Sequence, residues 1–276
     1  MASEIADFSR LCIHTMTTRP WNLQQCIENY SAAGVRGITI WRNMLEGQNL
    51  AEARKRLDDA GLDVVSVARG GFFPGVEKTK RQAAIDDNLF AIEQAAAVGA
   101  PLIVLVCGAD SRQPLEKSRD QIREGIVKIL PQARSAGVKL AIEPLHPMYA
   151  GDRSAINTLE QANDLAIELH SEFVGVAADV YHLWWDPHLR KEIQRCGLNG
   201  KLMAFHVSDW NVPTVDFLND RGVMGDGCIP IPEIRGWVEE AGFRGYCEVE
   251  IFSDKYWATD QFEFLGKIKQ AYLTKT

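Results

Sequence analysis

The 276-residue sequence lacks a long apolar run, because no uncharged apolar stretch approaches the ~20 residues that a membrane-spanning helix requires. We therefore expect no membrane partner. The sequence also lacks an excess of positive charge: 30 Lys and Arg residues stand against 37 Asp and Glu residues, which gives a formal net charge of −7. Because nucleic-acid-binding surfaces are normally basic, we expect no nucleic-acid partner, although a local basic groove is compatible with an acidic total.

Paired cysteines and a secretion signal are also missing. The sequence has no C-x-x-C pair, and its six cysteines are scattered, several of them inside apolar runs: Cys12, Cys26, Cys107, Cys196, Cys228 and Cys247. Buried thiols in a reducing compartment explain this usage better than a disulfide framework does. The first residues contain neither the basic segment nor the apolar segment of a signal peptide. These absences favour a cytoplasmic protein.

The sequence repeats one pattern: an amphipathic helix, a small residue followed by glycine, and a short apolar strand. The glycines of five such copies are Gly34, Gly61, Gly99, Gly137 and Gly242. Glycine just past a helix accepts the left-handed backbone conformation that ends the helix. An apolar strand a few residues later is typical of a buried parallel sheet. Helical spacing of apolar residues is clearest in 48–60 and 79–98.

Eight strands are predicted in alternation with helices. They cover 11–14, 37–41, 64–69, 102–108, 139–143, 174–180, 202–207 and 246–251. Eight β–α units in about 250 residues are typical of a (β/α)8 barrel, whereas an open doubly wound sheet of this length usually has fewer strands. No linker, charge block or low-complexity tract divides the chain. We therefore predict an α/β fold, a (β/α)8 TIM barrel, as a single domain over residues 1–276.

Four predicted strands in the second half of the chain end on side chains that bind metals: Glu143, Asp179, His206 and Glu250. Because catalytic groups of such barrels lie at the C-terminal ends of the strands, these side chains should meet at one mouth. Three carboxylates and one imidazole suit one hard divalent cation. Glu248 and Glu250 are two residues apart and share a face of their strand. We choose Glu250 as the ligand because it lies closer to the C-terminal end.

Each of these residues also has a structural explanation. Glu143 could form an ion pair with a neighbouring strand, and the D-x-x-H spacing of Asp179 and His182 is a weak signal alone. A lone imidazole in an apolar strand, such as His206, is usually a satisfied core histidine. A buried carboxylate is costly unless it is paired or binds a metal. The repetition of ligand types on neighbouring strands favours the metal site.

Other residues near the same mouth are candidates for substrate binding. His182 and Arg221 carry donors suited to sugar hydroxyls or a carboxylate, and Arg221 opens a glycine-rich loop that could fold over the mouth. A solvated loop arginine is the alternative interpretation. Four further candidates rest on position alone: His14, Trp41, Arg69 and His146. Three tryptophans could stack on a sugar ring or simply plug the barrel: Trp184, Trp185 and Trp210.

The set Glu143, Asp179-x-x-His182, His206 and Glu250-Ile-Phe, with Arg221-Gly in a loop, resembles the xylose isomerase-like TIM barrel family. The resemblance is to its sugar phosphate isomerase/epimerase branch, which includes tagatose 3-epimerase-type, hydroxypyruvate isomerase and inosose dehydratase enzymes. It implies one divalent metal ion (Mn2+, Mg2+ or Co2+) held by the four residues. It also implies substrate contacts from His182 and Arg221, and the two glutamates as catalytic proton donor and acceptor. Such barrels are often dimers or tetramers, which leaves a homo-oligomer open.

The resemblance implies isomerisation or epimerisation of a small sugar or keto-sugar through a metal-stabilised enediolate, with Glu143 and Glu250 as acid and base. The alternative is a metal-dependent lyase, either a dehydratase or a decarboxylase, acting on a 3-keto-sugar or an oxidised sugar acid. His146 stands where many relatives carry Asn, and Arg153 follows soon after, which would suit a keto or carboxylate substrate. No glycine-rich helix start with a Lys follows the late strands, so a phosphate group is not indicated.

Two other functions are less consistent with these residues. The same family contains endonuclease IV, a three-zinc DNA repair enzyme that needs histidines at the ends of the third and fourth strands. Arg69 and Cys107-Gly108 stand at those places. A non-catalytic barrel would be marked by the loss of a metal ligand, and all four are present in the sequence.

Overall fold

The computed structural model describes residues 5–276 and contains a closed barrel of eight parallel strands. The strands in chain order are β1 (Leu11–His14), β2 (Gly37–Trp41), β3 (Asp63–Gly71), β4 (Leu102–Val106), β5 (Lys139–Glu143), β6 (Val174–Asp179), β7 (Leu202–Val207), β8 (Asp209–Trp210), β9 (Arg221–Gly222) and β10 (Cys247–Val249). The barrel runs from β1 to β7 in sequence order, and β10 closes it by pairing with both β7 and β1. The predicted (β/α)8 TIM barrel is confirmed, and all eight predicted strands are present.

Helices fill the connections between the barrel strands. They are α1 (Leu23–Ala32), α2 (Leu50–Asp59), α3 (Lys78–Val98), α4 (Leu115–Ala136), α5 (Leu159–Glu168), α6 (Val180–Leu183), α7 (Leu189–Leu198), α8 (Ile231–Glu240), α9 (Asp254–Trp257) and α10 (Gln261–Lys275). Short 3-10 turns cover Arg42–Leu45 and Pro147–Tyr149. The two clearest predicted helices correspond to α2 and α3. Among residues 5–276, no helix combines the length and apolar character needed to cross a membrane.

The repeated glycines end helices as the sequence pattern indicates. All five adopt positive φ angles, between 66° and 94°: Gly34, Gly61, Gly99, Gly137 and Gly242. This left-handed region is costly for a residue with a Cβ atom. The backbone N–H of Gly99 donates to the carbonyl of Ala96, and that of Gly137 donates to the carbonyl of Arg134. Each turn therefore redirects the chain into the next strand within a few residues.

The barrel interior combines a small apolar cluster with polar side chains. The apolar cluster consists of Leu102, Val104, Ala141, Ala177 and Ala204, all buried. The side chains of Thr39 in β2 and Ser66 in β3 are fully buried, and both donate hydrogen bonds to Glu248 in β10. The larger apolar core lies between the strands and the surrounding helices and holds the strands in register. Functional side chains at the strand ends therefore stand on a rigid base.

A short antiparallel pair, β8 and β9, follows β7 at the C-terminal end of the barrel. The segment 211–220 joins the two strands. Its Phe217 carbonyl accepts hydrogen bonds from the hydroxyls of Tyr149 at 2.6 Å and Tyr181 at 3.0 Å. The structure thus ties this segment to the ends of two barrel units, which places Leu218 over the barrel mouth.

Candidate functional site

Four side chains converge at the C-terminal ends of neighbouring strands. Glu143 and Asp179 are the last residues of β5 and β6, His206 lies near the end of β7, and Glu250 follows β10. Each offers one potential ligand atom, and these atoms all lie within 4.8 Å of one another. All four side chains are buried. The structure therefore brings together the four residues selected from the sequence.

The chemistry of this cluster fits a divalent cation. Three buried carboxylates this close together need a positive counter-charge. The Nδ1 atom of His206 lies 2.9 Å from Oε1 of Glu143, while the buried Nε2 atom has no hydrogen-bond partner in the described part of the chain. Burial opposes protonation of His206, but Glu248 and Glu143 outweigh it and raise its pKa to about 10. Without a metal, the protonated His206 ring offsets part of the negative charge of the carboxylates. A bound cation would take over this role.

Arg221 lies inside the site. Its Nη1 atom donates to Oε2 of Glu250 at 2.8 Å and to Oδ2 of Asp179 at 3.2 Å. Burial opposes ionisation of Glu250, but the charges of Arg221 and His14 hold its pKa well below its usual range. Burial raises the pKa of Asp179 to about 7, against the opposing charge of Arg221. The sequence suggested a loop arginine, whereas the side chain is buried at β9 because the antiparallel pair holds it there.

His182 is a neutral imidazole beside Arg221. Arg221 Nη2 lies 3.3 Å from Nε2 of His182, and a guanidinium can only donate, so Nε2 accepts. Burial and the Arg221 charge hold the pKa of His182 well below its usual range. The proton therefore resides on Nδ1, a buried atom with no partner among residues 5–276. His182 borders the cavity and has an N–H donor that is not used by any residue in the described part of the chain.

Glu248 lies deeper in the barrel than Glu250 and has different partners. Its Oε2 atom accepts hydrogen bonds from Thr39 at 2.7 Å and from Ser66 at 3.3 Å, and lies 3.3 Å from Nε2 of His14. His14, His206 and Glu248 form a second cluster whose ligand-type atoms lie within 4.8 Å of one another. Glu248 is thus enclosed by hydrogen-bond partners inside the barrel, whereas Glu250 contacts Arg221 and borders the cavity described below.

A cavity opens directly beside the four-residue cluster. Its volume is about 90 Å³, and its lining consists of Trp41, Arg69, Val106, Glu143, Leu145, Tyr149, Arg153, His182, Leu218, Arg221, Glu250 and Phe252. Typical sites for drug-sized ligands measure roughly 300–1,000 Å³. A cavity of this size therefore admits only a small molecule unless the segment over it moves.

The structure separates the sequence-based substrate candidates into two groups. Four of them border the cavity: Trp41, Arg69, His182 and Arg221. His14 is fully buried behind it, with Nδ1 3.2 Å from Oε1 of Glu250. His146 packs against Trp185 and Trp210, at 5.6 and 5.3 Å between ring centroids, outside the cavity.

The tryptophan cluster packs within itself. Trp210 stacks on Tyr181 at 4.8 Å and contacts Trp184 at 5.7 Å. Trp185 donates its indole N–H to the His182 carbonyl. These rings build the wall that supports His182, and the cavity is lined by other aromatic rings.

Sequence reasoning did not select several residues that border the cavity. These are Tyr149, Leu218 and Phe252. Arg153, which the sequence placed near the mouth, also lies there. Phe252 was visible in the Glu250-Ile-Phe pattern, because it lies two residues beyond Glu250. Tyr149 and Leu218 come from segments whose positions depend on tertiary contacts, and no local pattern marks them.

The sequence profile of the xylose isomerase-like TIM barrel family matches residues 27–268. The chain belongs to the xylose isomerase-like TIM barrel family. A crystal structure of protein SMc04130 from Sinorhizobium meliloti 1021 is 42% identical in sequence, covers 98% of this chain and 99% of its own, and has a TM-score of 0.94.

Two further proteins are similar to this chain at lower sequence identity. An inosose isomerase from Halalkalibacterium halodurans is 22% identical over 94% of each chain. A crystal structure of the IOLI protein with a bound zinc atom is 20% identical, covers 96% of each chain and has a TM-score of 0.84. At this identity the likeness to the zinc-containing structure establishes the shared fold alone.

Proposed function

We propose that this xylose isomerase-like barrel is a divalent-metal-dependent isomerase or epimerase of a small sugar or keto-sugar. The observation that carries the proposal is the meeting of Glu143, Asp179, His206 and Glu250 beside a small cavity that two of them border. The four residues would hold Mn2+, Mg2+ or Co2+, and the zinc in the IOLI structure adds a fourth candidate. When bound, the ion supplies a Lewis acid that stabilises the negative charge of an enediolate formed on the substrate.

Glu143 and Glu250 are the proposed acid–base pair. Both carboxylates border the cavity, so each can reach a substrate bound in it. Glu250 is kept ionised by Arg221 and His14 and is therefore suited to accept a proton from a carbon beside the substrate carbonyl. Glu143 contacts His206, which can hold it in place while it exchanges a proton with the other side of the intermediate.

Three cavity residues are proposed to hold the substrate. His182 offers the N–H of Nδ1, and Trp41 offers an aromatic face that suits the apolar side of a sugar. Arg221 borders the cavity as a proposed donor to the substrate, and its Nη1 contacts also orient Glu250 and Asp179. His14 acts through its contact with Glu250 and does not touch the substrate. We also propose a cytoplasmic location, which the six unpaired thiols support.

The proposal predicts exchange of a carbon-bound proton with solvent. We expect the Mn2+- or Mg2+-loaded protein in D2O to incorporate deuterium at the carbon beside the carbonyl of a ketose or 3-keto-sugar. Proton NMR of a substrate panel measures the exchange, and EDTA should abolish it. Loss of water or CO2 from a panel member would identify the lyase alternative. Absence of exchange with every member, in protein shown to contain metal, would contradict the proposal.

Metal affinity is expected to rise with pH. Metal ligands must lose their protons, and the pKa of His206 is about 10 while that of Asp179 is about 7. Binding should displace one proton between about pH 7 and pH 10, and a second proton below about pH 7. Affinity should therefore rise by about tenfold per pH unit between pH 7 and pH 10, and more steeply with pH below pH 7. Calorimetric Mn2+ titrations in buffers of different ionisation enthalpy measure the protons released. Affinity independent of pH would refute His206 as a ligand.

A further inference from the structure

Two arginines border the cavity without a carboxylate partner. Arg69 lies in β3, Arg153 follows the Pro147–Tyr149 turn, and both line the same cavity as Glu143. Within residues 5–276, no carboxylate lies at ion-pair distance from either guanidinium. Both guanidinium groups lie close to aromatic rings instead. The Arg69 guanidinium lies 4.2 Å from the ring centroid of Phe72, and the Arg153 guanidinium lies 5.5 Å from the ring centroid of Tyr149.

Two arginines near Arg69 and Arg153 do have carboxylate partners. Arg42 makes a two-pronged contact with Asp87 at 2.7 and 2.8 Å. Arg221 contacts Asp179 and Glu250. Arg42 and Arg221 thus have carboxylate partners, whereas Arg69 and Arg153 have none within residues 5–276.

The two guanidiniums also repel each other. Burial and the charge of Arg153 both lower the pKa of Arg69, yet an arginine stays charged at any physiological pH. The carboxylates of Glu143 and Glu250 partly offset this repulsion in the metal-free protein. When those carboxylates are engaged by a cation, as the proposed function requires, two positive charges remain facing a small cavity. An anion that enters the cavity would offset both charges.

We propose that Arg69 and Arg153 bind an oxyanion group of the substrate, a carboxylate or a phosphate, so that the substrate is an acidic sugar derivative and not a neutral sugar. The planar guanidinium presents parallel N–H donors that match the oxygens of either group. The inference deepens the proposed function, since it names the substrate class of the same site. The aromatic rings of Phe72 and Tyr149 keep the two side chains beside the cavity.

The test compares three ligands with three carbon atoms each: glycerol, D-glycerate and glycerol 1-phosphate. Their affinities are measured by ligand-observed NMR titration in Mg2+-loaded protein, without turnover. Four forms of the full chain are compared: wild type, Arg69→Gln, Arg153→Gln and the matched control Arg134→Gln, whose side chain is exposed on α4. Gln keeps much of the side-chain length while removing the charge, and circular dichroism and metal content are recorded for each form.

We expect at least one of the two anions to bind the wild type at least about tenfold more tightly than glycerol, because hydrogen bonds to charged groups contribute that much or more. Arg69→Gln and Arg153→Gln should each remove about tenfold of that preference while glycerol binding and metal content stay unchanged, and Arg134→Gln should change nothing. Preference for D-glycerate assigns a carboxylate, and preference for glycerol 1-phosphate assigns a phosphate.

Two results would overturn the inference. The first is that neither anion binds the wild type more tightly than glycerol does. The other is an anion preference that survives both cavity substitutions, since binding would then come from the metal alone. Either result leaves proton exchange on neutral ketoses untouched. Conversely, a protein that shows no proton exchange would still show arginine-dependent anion binding, so failure of this inference and failure of the proposed function are distinguishable.

Discussion

Glu143→Gln should lower turnover by roughly 100- to 10,000-fold, the range that a positioned acid or base contributes. Gln has the shape of Glu and keeps one oxygen that can contact a cation, but it cannot take up or release a proton at neutral pH. Glu143 is buried and borders the cavity, with Oε1 2.9 Å from Nδ1 of His206. The substitution therefore removes proton transfer while largely preserving the site. The measurement is kcat on the substrate identified by proton exchange, with metal content determined on the same samples.

The control for this experiment is Glu172→Gln, the same change at an exposed residue just before β6. It should leave turnover and metal content unchanged. Glu250→Gln should also lose turnover, and in addition it weakens the 2.8 Å contact with Arg221, so its thermal stability should fall below that of Glu143→Gln. If Glu143→Gln and Glu250→Gln both remain active, the acid–base assignment is wrong.

His206→Ala should weaken metal binding by about 100-fold or more, because it removes the imidazole ligand. Loss of a residue that only hydrogen-bonds a ligand already lowers metal affinity by about 10- to 100-fold. Turnover should disappear with the metal. His206 is fully buried at the end of β7, and its Nε2 atom has no hydrogen-bond partner in residues 5–276. Elemental analysis after dialysis and Mn2+ titration followed by electron paramagnetic resonance measure the effect.

A loss of metal could also follow from a disturbed fold, because the imidazolium of His206 offsets the charges of Glu143 and Glu248. His206→Asn is therefore compared, since its amide oxygen can contact a cation and should restore part of the affinity. His188→Ala, at an exposed position just before α7, is the matched control and should bind metal as the wild type does. Unchanged metal content in folded His206→Ala would rule out its role as a ligand.

The sequence by itself determined the barrel and the position of its mouth. Each copy of the repeated pattern is local: apolar spacing makes the helix, and a glycine such as Gly99 or Gly137 ends it. Alternation of helix and buried strand leads to a parallel sheet, and eight units close it. Because side chains at strand ends must face the mouth, Glu143 and Asp179 could be placed there from their position in the chain alone.

Tertiary structure decided which partners those side chains meet. The difference between Glu248 and Glu250 depends on what Thr39 and Ser66, from strands more than 180 residues away in sequence, can reach. Arg221 is buried where β8 and β9 pair, and strands of two residues are too short to be predicted from a sequence pattern.

The same limit applies to the proposed substrate contacts. The sequence marked Arg69 and Arg153 by their position near the mouth, and only the structure shows that both border one cavity without a carboxylate partner within residues 5–276. Periodicity and glycine caps are short-range properties that the chain carries locally. Charge pairing and cavity shape arise from long-range packing, because they depend on which distant segments fill the same space.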